Sequence, residues 1–479
     1  MGMIGLALSG GGYRASLYHL GVMARLADEG LLKEVRALST VSGGSIVGAF
    51  YYKMLCEELR QDRKLTDEDY RDLMKRVIEA FVDVVQENLR DRVVISGGIS
   101  RLVPEQILGR LLGAVHKVIP AVDPEMVLGS KLEQGISALM FKSLTLRDLM
   151  DAPVHPENRK PELILNTSIL ENGQSLFIST DPNSPLWRQN EYNHAITADQ
   201  LLHLPLAKAV AASACVPGLF DPITIPFGDR AVHGVDGGVL DNLGGHAIQR
   251  LWLEGMPIML SDASKPLRKE NYEEIDAVES FFRIQDIFMG AIRDLRIEGT
   301  DDLIVGMRDE IPGVDSTVRT LAMTMRTDLN AFSEVEAYTL MYVGYYACDE
   351  QIEKLQGQGS GEWVSEQEMD DYWPFMSVRP YAVTPTPEYL ALLGQKEKTL
   401  LSLPSLTMTR LLSLGYLLLY LAVFVYIWIQ HGAEDAFWYV GLIPVLIVSL
   451  GGVVLLRRRV AKGKRKGTMA SLVESSIPS

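Results

Sequence analysis

The sequence predicts an α/β domain built on a mostly parallel central sheet, with a helical insertion and a C-terminal pair of membrane-spanning helices. Three observations predict it. Strand and helix patterns alternate over the first 59 residues, the alternation resumes between residues 163 and 261, and two long uncharged apolar runs follow residue 410.

The elements follow in chain order. Met3 to Ser9 is a short apolar run that ends in glycines, as a buried strand does. Tyr13 to Glu29 has helical spacing, with Leu17, Leu20, Met23, Ala24 and Ala27 on one side and Gly30 as the stop. Val35 to Val41 reads as the next strand, and Ser45 to Leu59 as a helix with Ile46, Val47, Phe50, Tyr51 and Leu55 on its apolar side. Residues 60–160 look mainly helical and are expected to form an insertion that caps or borders a site. Strand character returns at Leu163 to Ser168 and Ser175 to Ser179, and Leu201 to Cys215 is an Ala-rich helix. Ala231 to Val235 is a strand, Asn242 to Leu253 a helix and Pro257 to Ser261 a further strand. One α/β domain is therefore expected over residues 1–395, with Gln356 to Gly361 its clearest exposed loop.

After a linker at 396–410, the stretches Leu411 to Ile429 and Phe437 to Leu456 hold nineteen and twenty residues without a charge. About 20 apolar residues span a bilayer core as a helix. Only Gln430 to Ala436 separates them, so the pair at 411–456 reads as a hairpin that crosses the membrane and returns. Trp428, Trp438 and Tyr439 flank the short loop, where an aromatic belt sits. Arg410 precedes the first span, and seven basic residues fill 457–466 at the start of a basic tail, 457–479. The positive-inside rule then places both ends, and the main domain, on the cytoplasmic side.

The net charge is −15, but without that basic cluster the first 456 residues hold 39 basic against 60 acidic residues, a net of −21. Such a body does not attract nucleic acid, and an anionic bilayer repels it. A lipid substrate would therefore need a tether, which the hairpin supplies. Three scattered cysteines, Cys56, Cys215 and Cys348, form neither a disulfide framework nor a metal cluster. No H-x-x-x-H, C-x-x-C or calcium-loop pattern occurs, so no metal or other cofactor is expected.

Three separated motifs carry chemistry. Gly10, Gly11 and Gly12 lie between the first strand and its helix, followed by Tyr13 and Arg14. Glycines there let backbone amides meet a phosphate or an oxyanion at the positive end of a helix. Thr40-Val41-Ser42-Gly43-Gly44-Ser45 also joins a strand to a helix, as a nucleophile elbow does. Thr40 stands where G-x-S-x-G has its first glycine, which is expected to strain the turn. A decoy, Val94-Ile95-Ser96-Gly97-Gly98, lacks the strand–helix context, so Ser42 is the candidate nucleophile. His233-Gly234-Val235-Asp236-Gly237-Gly238 ends a strand, placing Asp236 at the sheet's carboxyl edge, where it is positioned to accept a serine proton.

In their order and spacing these motifs resemble the patatin-like phospholipase family over residues 3–265: a G-G-G-x-R/K loop, a serine elbow and a D-G-G motif. Ala212 to Phe220 is similar to the family's A-S-x-A-x-P-x-x-F segment, and Asn242 to the asparagine that often follows D-G-G. The resemblance implies a three-layer sandwich and a Ser–Asp dyad without histidine, acting on membrane lipids. It implies hydrolysis of fatty acyl esters through an acyl-enzyme: Ser42 attacks, Asp236 activates it, and the amides of Gly10, Gly11, Gly12 and Gly43 are the candidate oxyanion donors. Arg14, Gly44, Gly237, Gly238 and Asn242 are expected in support, with Arg14 an exposed residue that steadies the loop or meets a lipid phosphate. The rival Ser-His-Asp triad would need His19, His233 or His246, each read as structural. Glu334 and Glu336 read as a solvated helix face, together with Asp328. Acyl transfer to a second lipid, and a catalytically silent membrane scaffold, are the alternatives to hydrolysis.

Overall fold

The computed structural model describes residues 3–87, 89, 131–151, 154–188, 202–227, 230–251, 255–267, 277–327, 329–356 and 372–394, all in one compact unit. The expected membrane hairpin at 411–456, the basic tail, the decoy Ser96 and most of the loop Gln356 to Gly361 lie outside the described residues. Among those described, no helix is long and apolar enough to cross a membrane.

Strand β1 (Ile4–Leu8) leads through the glycine turn into α1 (Gly12–Asp28). Strand β2 (Val35–Val41) leads through Ser42 into α2 (Gly43–Leu59), followed by α3 (Asp67–Gln86). Then come β3 (Glu162–Ile169), β4 (Ser175–Ser179), α4 (Leu206–Ser213), β5 (Ile223–Phe227), β6 (Arg230–Asp236) and the short α5 (Gly238–Asp241). Strand β7 (Ile258–Asp262), α6 (Ala277–Ile297), β8 (Leu303–Gly306) and α7 (Glu334–Tyr346) complete the frame. The expected helix at Asn242 to Leu253 is shorter, Gly245–Gln249, because Gly244 takes a left-handed φ of 76° just before it.

Strands β3, β2, β1, β7 and β8 run parallel, while β4, β5 and β6 pair antiparallel. The sheet is thus mixed but mostly parallel. Successive residues of a strand face opposite sides, and β1 shows both: Leu6 and Leu8 join the large core with α1, α2, α3 and α7, while Ala7 faces a smaller core with Ala247 and Leu260. This gives the helix–sheet–helix layering.

Within 60–160, α3 is not a separate cap. Thr66 closes a capping box with Asp69, and Tyr70, Leu73, Val77, Ile78 and Phe81 bury one face in the large core against α1 and α2. Residues 132–150 also contribute Leu132, Ile136, Phe141, Leu146 and Leu149 to that core. The middle of the segment lies outside the described residues.

Helix α1 runs so close to α7 that a Cβ on Gly21 would sit 1.9 Å from the Met341 carbonyl oxygen. Gly21→Ala should therefore cost about 1–3 kcal/mol through overpacking, read as a fall of several degrees in melting temperature. Gly290 in α6 has no atom within 4 Å of its Cβ position. Gly290→Ala should stabilise by up to about 1 kcal/mol through helix propensity alone. Equal melting temperatures for the two variants would refute this account of the α1–α7 contact.

Candidate active site

The sheet register brings Ser42 and Asp236 together. Along β3, Asn166 pairs with Val41 of β2 and with Phe177 of β4; the next residue, Thr167, pairs with Asp236 of β6 and with Leu176 of β4. A strand has two edges, so on the edge opposite β4 the partner changes from β2 to β6 between these two positions. Strands β2 and β6 therefore share one lane of the sheet, run toward each other, and end at Ser42 and Asp236. Asp236 was expected at the carboxyl edge; it arrives there from an antiparallel strand.

Ser42 has φ 51° and ψ −116°, a region that non-glycine residues rarely occupy. Hydroxyl groups hold this turn. Ser42 N–H donates to Ser213 Oγ (3.1 Å), and Ser213 Oγ donates to the Asn166 carbonyl (2.6 Å). Ser45 Oγ lies 2.7 Å from Ser213 Oγ and 2.9 Å from Thr40 Oγ1, which in turn donates to the Ile164 carbonyl (3.1 Å). The carbonyl of Ser42 accepts from Ser45 and Ile46, so α2 starts at once. Thr40 does not crowd the elbow, because its methyl lies 2.6 Å from the Cβ position of Gly48. The small residue the turn needs is supplied from the first turns of the helix instead of the strand.

The two glycine turns abut. A Cβ on Gly43 would stand 2.1 Å from the Gly12 carbonyl oxygen, and one on Gly44 would stand 2.3 Å from that of Leu8. Gly11 and Gly12 have φ values of 140° and 57°. Among the described residues, the amides of Gly11, Gly12 and Gly43 donate to nothing, as expected at helix N-termini. Gly10 differs: its N–H donates to the Asn242 carbonyl at 3.0 Å. It is therefore removed from the expected oxyanion donors, which leaves Gly11, Gly12 and Gly43.

Asp236 is buried and accepts a hydrogen bond from Gly238 N–H (2.8 Å). Burial raises its carboxyl to about 6, and the Ser42 side chain and the Gly238 amide offset only part of the shift. Gly237 N–H donates to the Ser213 carbonyl, and Asp236 N–H to that of Cys215, so α4 fixes the D-G-G turn as well as the elbow. The Asn242 side chain donates to Ser264 Oγ (3.0 Å) just after β7, while its carbonyl accepts from Gly10 N–H, so Asn242 joins the segment after β7 to the glycine loop.

Arg14 is buried, not exposed. It donates to the carbonyls of Met323 (2.9 Å), Met325 (3.3 Å) and Ala263 (2.8 Å), and burial pushes its guanidinium down to about 10. It ties α1 to the segments after β7 and before α7 and cannot meet a lipid phosphate there. His19 is buried between Ser261 Oγ (2.7 Å) and the Ser9 carbonyl (2.9 Å), with burial lowering it to about 4. His233 is exposed beside Glu171 (2.6 Å), and His246 accepts from Arg250 (2.7 Å). None of the three bonds to Ser42 or Asp236. Glu336 also departs from expectation: it is buried, caps α7 and pairs with Arg326 at 2.6 Å. Asp328 lies outside the described residues.

Sequence reasoning missed the roles of Ser213, Ser45, Asn166 and Gly48. Ser213 falls in the A-S-x-A-x-P-x-x-F segment, but its bond to Ser42 spans 171 positions, which no local pattern signals.

A model of the patatin-like phospholipase family matches residues 6–247, which include Ser42 and Asp236. Among solved structures, that of VipD from Legionella pneumophila is similar at 14% identity and a TM-score of 0.35, covering 74% of this chain and 67% of that one. No curated protein matches the chain.

The raised carboxyl of Asp236 has a stability consequence. The native state holds its proton more tightly than the unfolded chain between about pH 4 and pH 6, so the ionised form costs stability above that window. Asp236→Asn should therefore melt higher than wild type at pH 7.5, by the equivalent of about 2–3 kcal/mol. The difference should close below pH 4. A variant no more stable than wild type at pH 7.5 would show that the carboxylate is not penalised by burial.

Proposed function

The chain belongs to the patatin-like phospholipase family and is an acyl ester hydrolase, and we propose that it cleaves fatty acyl esters of membrane lipids with the dyad Ser42–Asp236. The observation that carries this reading is the sheet register that brings Ser42 to Asp236, a buried carboxyl that burial raises to about 6. A general base works best with a pKa near the working pH.

The chemistry follows from these groups. Ser42 Oγ attacks the ester carbonyl carbon while Asp236 takes its proton. Charge develops on the carbonyl oxygen, and the unpaired amides of Gly11, Gly12 and Gly43 are the donors available to it. As the intermediate collapses, the carbon–oxygen bond to the leaving alcohol breaks and Asp236 returns the proton to that alcohol. Ser42 is left acylated. Asp236 then takes a proton from water as it attacks the acyl carbonyl; the carbon–oxygen bond to Ser42 breaks, Asp236 returns the proton to Ser42 Oγ, and the free fatty acid leaves. We further propose that the apolar pair at 411–456 tethers the domain to the cytoplasmic face of a membrane, supported by its length, its aromatic residues and its basic flanks.

The test is hydrolysis of phospholipid in mixed micelles by full-length protein. Ser42→Ala and Asp236→Asn should each lower kcat by about 10³-fold or more while remaining folded. A fluorophosphonate should label Ser42, located by mass spectrometry. Wild-type turnover by Ser42→Ala would sink the dyad.

The pH profile gives a second check. The base must be unprotonated, so kcat/KM should fall about tenfold per pH unit below pH 6 and level off above it. A profile flat from pH 4.5 to 7 would exclude Asp236 as the base.

A further inference from the structure

Helix α6 is amphipathic, with its ion pair from Arg293 to buried Asp262 turned inward. At about 100° per residue, Asp286, Met289 and Arg293 share one face. That face meets the site: Met289 Cε is 3.1 Å from the Cβ position of Gly238, and Arg293 Nε donates to buried Asp262 at 2.7 Å. The opposite face carries Ile284, Ile287, Phe288, Ala291 and Leu295, at the i, i+3, i+4, i+7 spacing of an apolar stripe. This stripe is the one left in solvent: Ile284 is 47%, Phe288 64% and Leu295 71% exposed. Arg283 and exposed Asp294 border it beside Ile287, and Glu298 lies on its line just past the end of the helix.

Solvent-facing apolar stripes of this kind mark interaction sites. Its location and the chain's charge identify the occupant. Helix α6 packs on α5, which begins two residues after Asp236, and α5 itself exposes Val239. The acidic body, −21 over residues 1–456, gives no electrostatic attraction to an anionic surface. A membrane contact must come from apolar burial, and the sequence places an apolar tether after the domain. We propose that the outward stripe of α6 docks on a phospholipid surface, seating the Asp236 loop at the acyl-ester level. This rests on the lipid-hydrolase reading of Ser42 and Asp236.

The flanking chemistry fits a shallow interfacial contact. An amphipathic helix lies in the headgroup–acyl boundary with its apolar face buried about 5–10 Å. The Arg293–Asp262 ion pair holds α6 to the end of β7, so the stripe is presented on a rigid element.

The experiment uses full-length protein reconstituted in phosphatidylcholine vesicles. Phe288→Cys carries an environment-sensitive fluorophore; the native Cys56, Cys215 and Cys348 are buried and do not compete. Lipids brominated on the acyl chain should quench this label and leave one at Lys354→Cys untouched. In parallel, the double variant Phe288→Ser/Leu295→Ser is assayed on vesicle phospholipid and on a monomeric short-chain ester. The vesicle reaction should lose about 10-fold, with the monomeric ester unchanged. An unquenched label, or wild-type vesicle turnover by the double variant, overturns the proposal. Equal loss on both substrates also overturns it, assigning the stripe to the fold or to a second copy of the chain. If wild type hydrolyses neither substrate but the Phe288 label is quenched, the hydrolase reading fails and the docking surface stands.

Discussion

The backbones of Gly12 and Gly43 meet so closely that no side chain fits between them, and the rest of the site depends on that contact. A Cβ at Gly43 would lie 2.1 Å from the Gly12 carbonyl oxygen, well inside van der Waals distance. Because neither residue carries a side chain, α1 and α2 begin side by side. Their positive ends converge, and three amides with no acceptor among the described residues are left at the junction. Ser42 is the residue that must turn from β2 into α2 at that point. Its left-handed backbone is thus a consequence of bringing two helix starts against one another.

Strain of this kind costs about 1–3 kcal/mol, and it persists only where neighbours over-determine it. Here the neighbours are hydroxyls. Ser213 has one proton, given to the Asn166 carbonyl, so its lone pairs receive Ser42 N–H. Thr40 gives its proton to the Ile164 carbonyl and accepts that of Ser45, which ties the start of α2 to β2. At about 1 kcal/mol net per bond, these four bonds are enough to offset the strain. The arrangement also removes the Ser42 amide from any oxyanion role, since it is already committed.

The local parts of this design were legible in the sequence. β1, β2 and the helices after them follow from apolar runs punctuated by glycine, and the elbow follows from its strand–helix context. The long-range parts were not. Antiparallel entry of β6 could not be read, because β5 is a short strand of ambiguous pattern whose partner is set by tertiary pairing. Arg14 read as exposed because a helix-start arginine usually is. The carbonyls that bury it belong to Ala263, Met323 and Met325, some 250 to 310 positions away. Gly10 read as an oxyanion donor by proximity to Gly11, and the competing acceptor is the carbonyl of Asn242, again remote. Thr40 read as a defect because the compensating glycine, Gly48, sits on the next element.

A carboxylate proposed to do the work of imidazole needs imidazole's proton affinity, and here desolvation raises it in that direction. Histidine titrates near 6.5 in water and an aspartate near 3.9; burial lifts Asp236 to about 6, close to the first value. The Ser42 side chain and the hydrogen bond from Gly238 oppose that rise. The balance is therefore sensitive to whatever keeps water away from the D-G-G turn. Met289 of α6 packs over Gly238, so the helix that carries the outward apolar stripe also shields the base. Lifting α6 would wet the carboxylate, lower its proton affinity and weaken it as a base. If α6 docks as proposed, holding it down would keep the carboxylate dry, and the position of the domain at a lipid surface would bear on the proton affinity of the proposed base.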